Sequence, residues 1–169
     1  MKSKVFIILS SLLIAWSCTK EKEEAPSTSI QRPQEIVIGF NLIETTGGVR
    51  SWSITADKAI SYEKRMIVYN PRLEFYDENG RYSSTLTSDS GIIFNETNNM
   101  KAIGNVELIS KDSIVLKTDT LEWLDKERKI FAPGRVVIFK ENKKVIGTGF
   151  ESNPSLTQIK LRQTYGRID

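Results

Sequence analysis

Trp52-Ser53-Ile54-Thr55-Ala56-Asp57 alternates apolar and polar side chains and stops on an aspartate. Alternation built from Ile, Thr and an aromatic marks a strand with one buried face. The ending recurs: Thr55-Ala56-Asp57, Thr87-Ser88-Asp89 and Lys117-Thr118-Asp119 fall into register, with aspartates 32 and 30 residues apart. Ile54, Leu86 and Leu116 occupy equivalent places before them, and Ile146 continues the series. A large apolar residue, Tyr62, Phe94 or Leu124, follows five positions after each aspartate. Each unit then runs into a further strand at Pro71-Arg72-Leu73, Gly104-Asn105-Val106 and Gly134-Arg135-Val136. A fixed period near 30 means one supersecondary unit repeated, each burying its apolar face against its neighbours. The unit reads as about three short strands, so the expected fold is all-β: elongated, and built from ~30-residue repeats of short antiparallel strands.

The rest of the chain agrees. Leu73-Glu74-Phe75 and Val106-Glu107-Leu108 alternate in the same way. Turn chemistry separates the runs at Thr46-Gly47-Gly48, Glu78-Asn79-Gly80, Lys111-Asp112-Ser113 and Glu141-Asn142, with Asn79-Gly80 the strongest hairpin signal. Leu121 to Phe131 reads as strand, turn at Asp125 to Arg128, and strand. By alternation the inward candidates are Trp52, Ile54, Phe75, Leu86, Val106, Leu108, Leu116, Val136, Ile138 and Phe150. A single bulge reverses such parity.

The N-terminal segment is of another kind. Lys2 and Lys4 precede an apolar run from Val5 to Ala15, shorter than the roughly 20 residues that span a bilayer. Residues 1–17 have the order of a secretory signal. The sole cysteine, Cys18, follows directly; it has no internal disulfide partner and resembles the acylated cysteine of a lipobox, with Ala15 where Leu is usual. Residues 18–34 are then a lipidated N-terminus and a charged, Pro-containing tether that lacks apolar residues to bury. Residues 35–169 form the folded domain.

Composition narrows the function. The chain has 24 basic and 21 acidic residues, and removal of Lys2 and Lys4 with the signal leaves it close to neutral, without the basic face that nucleic acid requires. It has no histidine, hence neither the usual general base nor the commonest zinc ligand. Asp57, Asp89 and Asp119 would form a row, but without a base or second ligand type they read as strand-end aspartates bonding local backbone N–H groups. Gly104, Gly134, Gly147 and Gly149 mark bulges, bends, close backbone approach or room for a ligand. No catalytic residue, metal site or cofactor is expected.

Taken together, Trp52 to Ala59, Leu73 to Tyr76, Gly104 to Leu108, Leu116 to Leu121 and Gly147 to Glu151 resemble the LptC/OstA-type β-fold of the lipopolysaccharide transport system, over about Phe40 to Gly166. The resemblance implies an open, twisted β-jellyroll whose ten inward residues double as an acyl-chain groove. It further implies lipopolysaccharide as ligand, the periplasmic domains of LptF or LptG as transporter partners, and an LptA-like bridge protein at the C-terminal edge. Leu156, Ile159 and Leu161, in the alternating stretch Leu156 to Arg162, are the candidate edge. Many relatives use a transmembrane helix where this chain has Cys18. The expected location is the periplasmic side of the envelope, held by a lipid anchor, with the inner membrane favoured over the outer. Lys20-Glu21 with the acids after it resembles export tags of surface lipoproteins, and supports an alternative: a structural or adhesive β-repeat lipoprotein of the outer membrane.

Overall fold

The computed structural model describes residues 32–168; the signal, Cys18 and nearly all of the tether lie outside them. Eleven strands follow in order: β1 (Glu35–Thr46), β2 (Val49–Ser61), β3 (Arg65–Tyr69), β4 (Arg72–Tyr76), β5 (Tyr82–Thr87), β6 (Ser90–Phe94), β7 (Met100–Ser110), β8 (Val115–Leu124), β9 (Lys129–Lys140), β10 (Lys143–Ser152) and β11 (Lys160–Ile168). All pairings are antiparallel and belong to one sheet. The expected turns stand where turn chemistry put them, including Asp125 to Arg128 between β8 and β9.

The register explains the repeat. β3 and β4 pair in succession with β2, and β5 and β6 pair in succession with β7. Each couple is therefore one long row broken at its middle, at Asn70-Pro71 and at Ser88-Asp89. The 30-residue period is consequently two long antiparallel rows, a hairpin, rather than three short strands. The interruptions line up across the sheet: the β7–β8 register shifts between Ile103 and Val106, the β8–β9 register between Thr118 and Glu122, and the β10–β9 register between Thr148 and Phe150. The recurrent aspartates lie on this line.

Along the line the sheet is creased. Asn70 Nδ2 donates to Asp57 Oδ2 and Asn105 Nδ2 to Asp89 Oδ2, each at 2.8 Å. These two aspartates thus accept from side-chain amides on the neighbouring row, not from local backbone N–H groups as anticipated. Both asparagines are left-handed, with φ of 49° and 46°, a region Asn tolerates better than most residues. Gly104 has φ +79°, and a Cβ there would lie 2.4 Å from Asp89 Oδ2.

The crease folds the sheet onto itself. Phe75 on β4 and Trp123 on β8 have ring centroids 4.9 Å apart, although β5 and β7 separate their strands. In a flat sheet three strand spacings would hold them roughly 14 Å apart. Two half-sheets therefore face one another across one apolar core. The first half holds Trp52, Ile54, Leu73, Phe75, Leu86, Val106, Leu108, Leu116, Val136 and Ile138; the second holds Val68, Ile93, Met100, Leu121, Trp123, Ile130 and Phe150.

If the crease depends on this close packing, Gly104→Ala should destabilise the fold by about 2 kcal/mol, combining positive-φ strain with the clash at Asp89. Gly134→Ala, with no atom near its would-be Cβ and ordinary φ, should change stability by no more than about 0.5 kcal/mol. Urea unfolding of both variants measures the difference.

Candidate functional site

All ten inward residues expected from alternation belong to the buried core. The residues missed, among them Val68, Ile93, Met100, Leu121, Trp123 and Ile130, lie mostly beyond the crease. There parity changes: Leu116 points inward on β8, and so do Leu121 and Trp123. On β8 the irregularity moves the apolar set to odd positions, whereas β7 (Met100, Ala102, Val106, Leu108) and β9 (Ile130, Ala132, Val136, Ile138) keep one parity throughout.

The interior is packed. Between the halves, the space bordered by Ile54, Val68, Leu73, Leu86, Ile93 and Met100 amounts to about 20 Å³, room for about one water molecule. The ten residues expected to line an acyl-chain groove are buried in the core, and the space beside Ile54 and Leu86 is small. Open apolar space occurs at the C-terminal end, in a cleft of about 380 Å³ lined by Ile114, Ile138, Val145, Ile159 and Leu161, with Lys140, Lys143 and Thr164 at its margin. Ile138 belongs to the expected groove set, and Ile159 and Leu161 to the expected partner edge.

That edge also needs correction. Leu156 to Ile159 is loop, and the last strand starts at Lys160. Asn153 organises the loop: its Oδ1 accepts from Thr157 N at 3.0 Å, and its Nδ2 donates to Thr157 Oγ1 at 2.8 Å. Leu156 takes φ 56° and is buried in the core. The alternation of Leu156 with Ile159 and Leu161 thus reflects a core plug followed by a cleft wall, not one strand.

Both terminal strands have one unpaired edge among the described residues, β1 pairing with β2 and β11 with β10. β1 is long and exposes Ile36, Ile38 and Ile43, with Ile38 75% accessible. Its charged residues are Glu35 and Glu44, at or near its ends. Such an edge is a template for strand addition.

Opposite the crease, turn and loop residues of the second half meet strand residues of the first. Asp125 Oδ1 accepts from the indole N–H of Trp123 at 3.1 Å and of Trp52 at 3.4 Å. Its own backbone N–H donates to Asn99 Oδ1 at 3.0 Å. Arg128 Nη2 donates to the Tyr76 carbonyl at 3.0 Å, and the hydroxyls of Ser83 and Ser155 are in contact. Sequence reading placed Asp125 in a turn without assigning it these partners. The recurrent Asp57, Asp89 and Asp119 stay apart on three separate rows, and Asp119 borders a polar cleft with Lys117 and Arg135.

A creased, single-sheet β-jellyroll with an apolar interior and two open edges is the class that fold and site define. The sequence matches the family model LptC, described as lipopolysaccharide-assembly, LptC-related, over residues 5–168, and the chain belongs to that family. This membership places it in lipopolysaccharide transport. No curated protein matches it. Among solved structures it is similar to LptH, the LptA-homologous periplasmic component of the lipopolysaccharide transport device of Pseudomonas aeruginosa, at 8% identity. That alignment covers 76% of this chain and 81% of LptH, with a TM-score of 0.32.

Because Leu116 is fully buried, Leu116→Ala is expected to cost about 3 kcal/mol through the cavity it leaves. Ile43→Ala, on the exposed edge, should stay within about 0.5 kcal/mol. Chemical denaturation of the two variants checks this division between core and surface.

Proposed function

We propose that this protein receives lipopolysaccharide from an inner-membrane ABC transporter, passes its acyl chains along the apolar interior, and delivers them to an LptA-like periplasmic bridge protein. The observation that carries the reading is the position of the apolar cleft: it is walled partly by the core residues Ile114 and Ile138 and lies beside β11, the terminal strand whose outer edge is unpaired among the described residues. A chain moving between two such interiors is never exposed to water, avoiding a cost of about 25 cal/mol per Å² of apolar surface. Lys140 and Lys143 at the cleft margin suit the phosphates of an anionic glycolipid, and no acidic side chain lines the cleft itself. The unprotected β1 edge suits strand addition by the LptF or LptG periplasmic domains, and β11 suits the bridge protein. The protein's part is passage, with energy supplied by the transporter's ATPase.

A photo-crosslinking residue at Ile138 or Val145 should capture lipopolysaccharide during ATP hydrolysis by the transporter, and one at Arg135 or Glu74 should capture several-fold less. Equal capture at both sets would refute passage through the interior. Lys140→Glu combined with Lys143→Glu should reduce capture at Val145 while leaving thermal stability unchanged, since both lysines are exposed.

The anchor in this reading is acylated Cys18, on the periplasmic side of the inner membrane. Cys18→Ala should abolish incorporation of a labelled fatty acid, and persistent labelling would exclude the anchor. Recovery of the acylated wild type in outer-membrane fractions would instead favour the structural or adhesive lipoprotein suggested by Lys20-Glu21.

A further inference from the structure

We propose that the jellyroll is held shut by a latch centred on Asp125, and that lipid enters the interior only when this latch opens. The inference rests on the passage reading above and specifies how that same site is controlled.

The packed interior sets the requirement. Phe75 and Trp123 are buried, and the space bordered by Ile54, Val68, Leu86 and Met100 is about 20 Å³, so a lipid chain reaches these residues only if the two halves separate or core side chains are displaced. Separation has two conceivable lines. At the crease, β2, β7, β8, β9 and β10 run continuously through the bend, and hydrogen bonds such as Asn70 N to Asp89 O and Asp89 N to Gly104 O, both 2.9 Å, tie the rows together. At the opposite side no strand crosses among the described residues. The halves meet there through side chains and loops, with no backbone ladder between them among the described residues, so the mouth is the line that can part without breaking the sheet.

The contacts at the mouth are few and asymmetric. Asp125 is fixed to its own half by Trp123 and Asn99, at 3.1 and 3.0 Å. Its bond to Trp52 on the other half is longer, at 3.4 Å, so the inter-half bond is the weaker one. Arg128 reaches Tyr76 O from the same turn. The third contact, Ser83 with Ser155, comes from a loop braced internally by Asn153 and Thr157. That loop also carries the buried Leu156. Parting these contacts would withdraw Leu156 and uncover Phe75 and Trp123, the aromatic pair behind the latch.

The closing test uses the full chain. Ser83→Cys with Ser155→Cys places thiols where two hydroxyls already touch, and oxidation staples the mouth; mass spectrometry verifies the bridge. A photoreactive phenylalanine analogue at Phe75 reads lipid in the interior, and a photo-crosslinker at Val145 reads lipid at the C-terminal cleft, with purified lipopolysaccharide as probe. Oxidation should abolish capture at Phe75, preserve it at Val145, and be reversed by reductant. Undiminished Phe75 capture in the stapled protein would overturn the latch while leaving passage intact. Loss of Val145 capture in the reduced and wild-type forms as well would overturn passage, and the latch with it. Asp125→Ala, with circular dichroism confirming its fold, should raise Phe75 capture without any staple; unchanged capture would also count against the latch.

Discussion

A carboxylate accepting from a side-chain amide on the next strand row is the contact on which the architecture turns. Asn105 holds Asp89, Asn70 holds Asp57, and Gly104 lets the backbone pass within reach of Asp89. Without these local bends, an eleven-stranded sheet would be a broad twisted surface with an exposed apolar face. With them and the register shifts of β8, β9 and β10 at the same level, one sheet supplies both walls of its core. The polar crease is therefore a precondition of the apolar interior.

Two consequences follow from making both walls from one open sheet. Among the described residues the terminal strands are unpaired on their outer sides, because none of the eleven strands closes the sheet into a barrel. Isolated soluble proteins normally blunt such edges; β11 carries Lys160 and Arg162, whereas β1 exposes isoleucines with acids only towards its ends. The second consequence is a seam opposite the crease, where the halves meet through side chains and loops. The backbone network secures one side of the jellyroll, and a small set of side-chain contacts secures the other.

Burial and function make opposing demands on the interior. Stability favours a filled core, and Leu108, Leu116, Ile130, Val136 and Phe150 have no accessible surface. A lipid path requires apolar space. The protein keeps its open apolar cleft at the C-terminal end, where Ile159 and Leu161 border it beside exposed lysines, and keeps the middle closed. Family membership places the protein in lipopolysaccharide transport.

The sequence by itself determined the strands, the turns between them, the two-residue alternation and the 30-residue repeat, because pleat geometry and turn chemistry act over a few neighbouring residues. Trp52, Phe75, Leu116 and Val136 were legible as inward for that reason. The sequence did not reveal Trp123 as their counterpart, because the irregularity in β8 changes the face to which a given parity points. Nor did it show that Leu156 plugs the core, since a left-handed residue in a braced loop mimics strand alternation. Asp125 illustrates the limit: its partner Trp52 lies 73 residues away. Only the curl of the whole sheet, a non-local consequence of several creases acting together, brings that carboxylate to that indole.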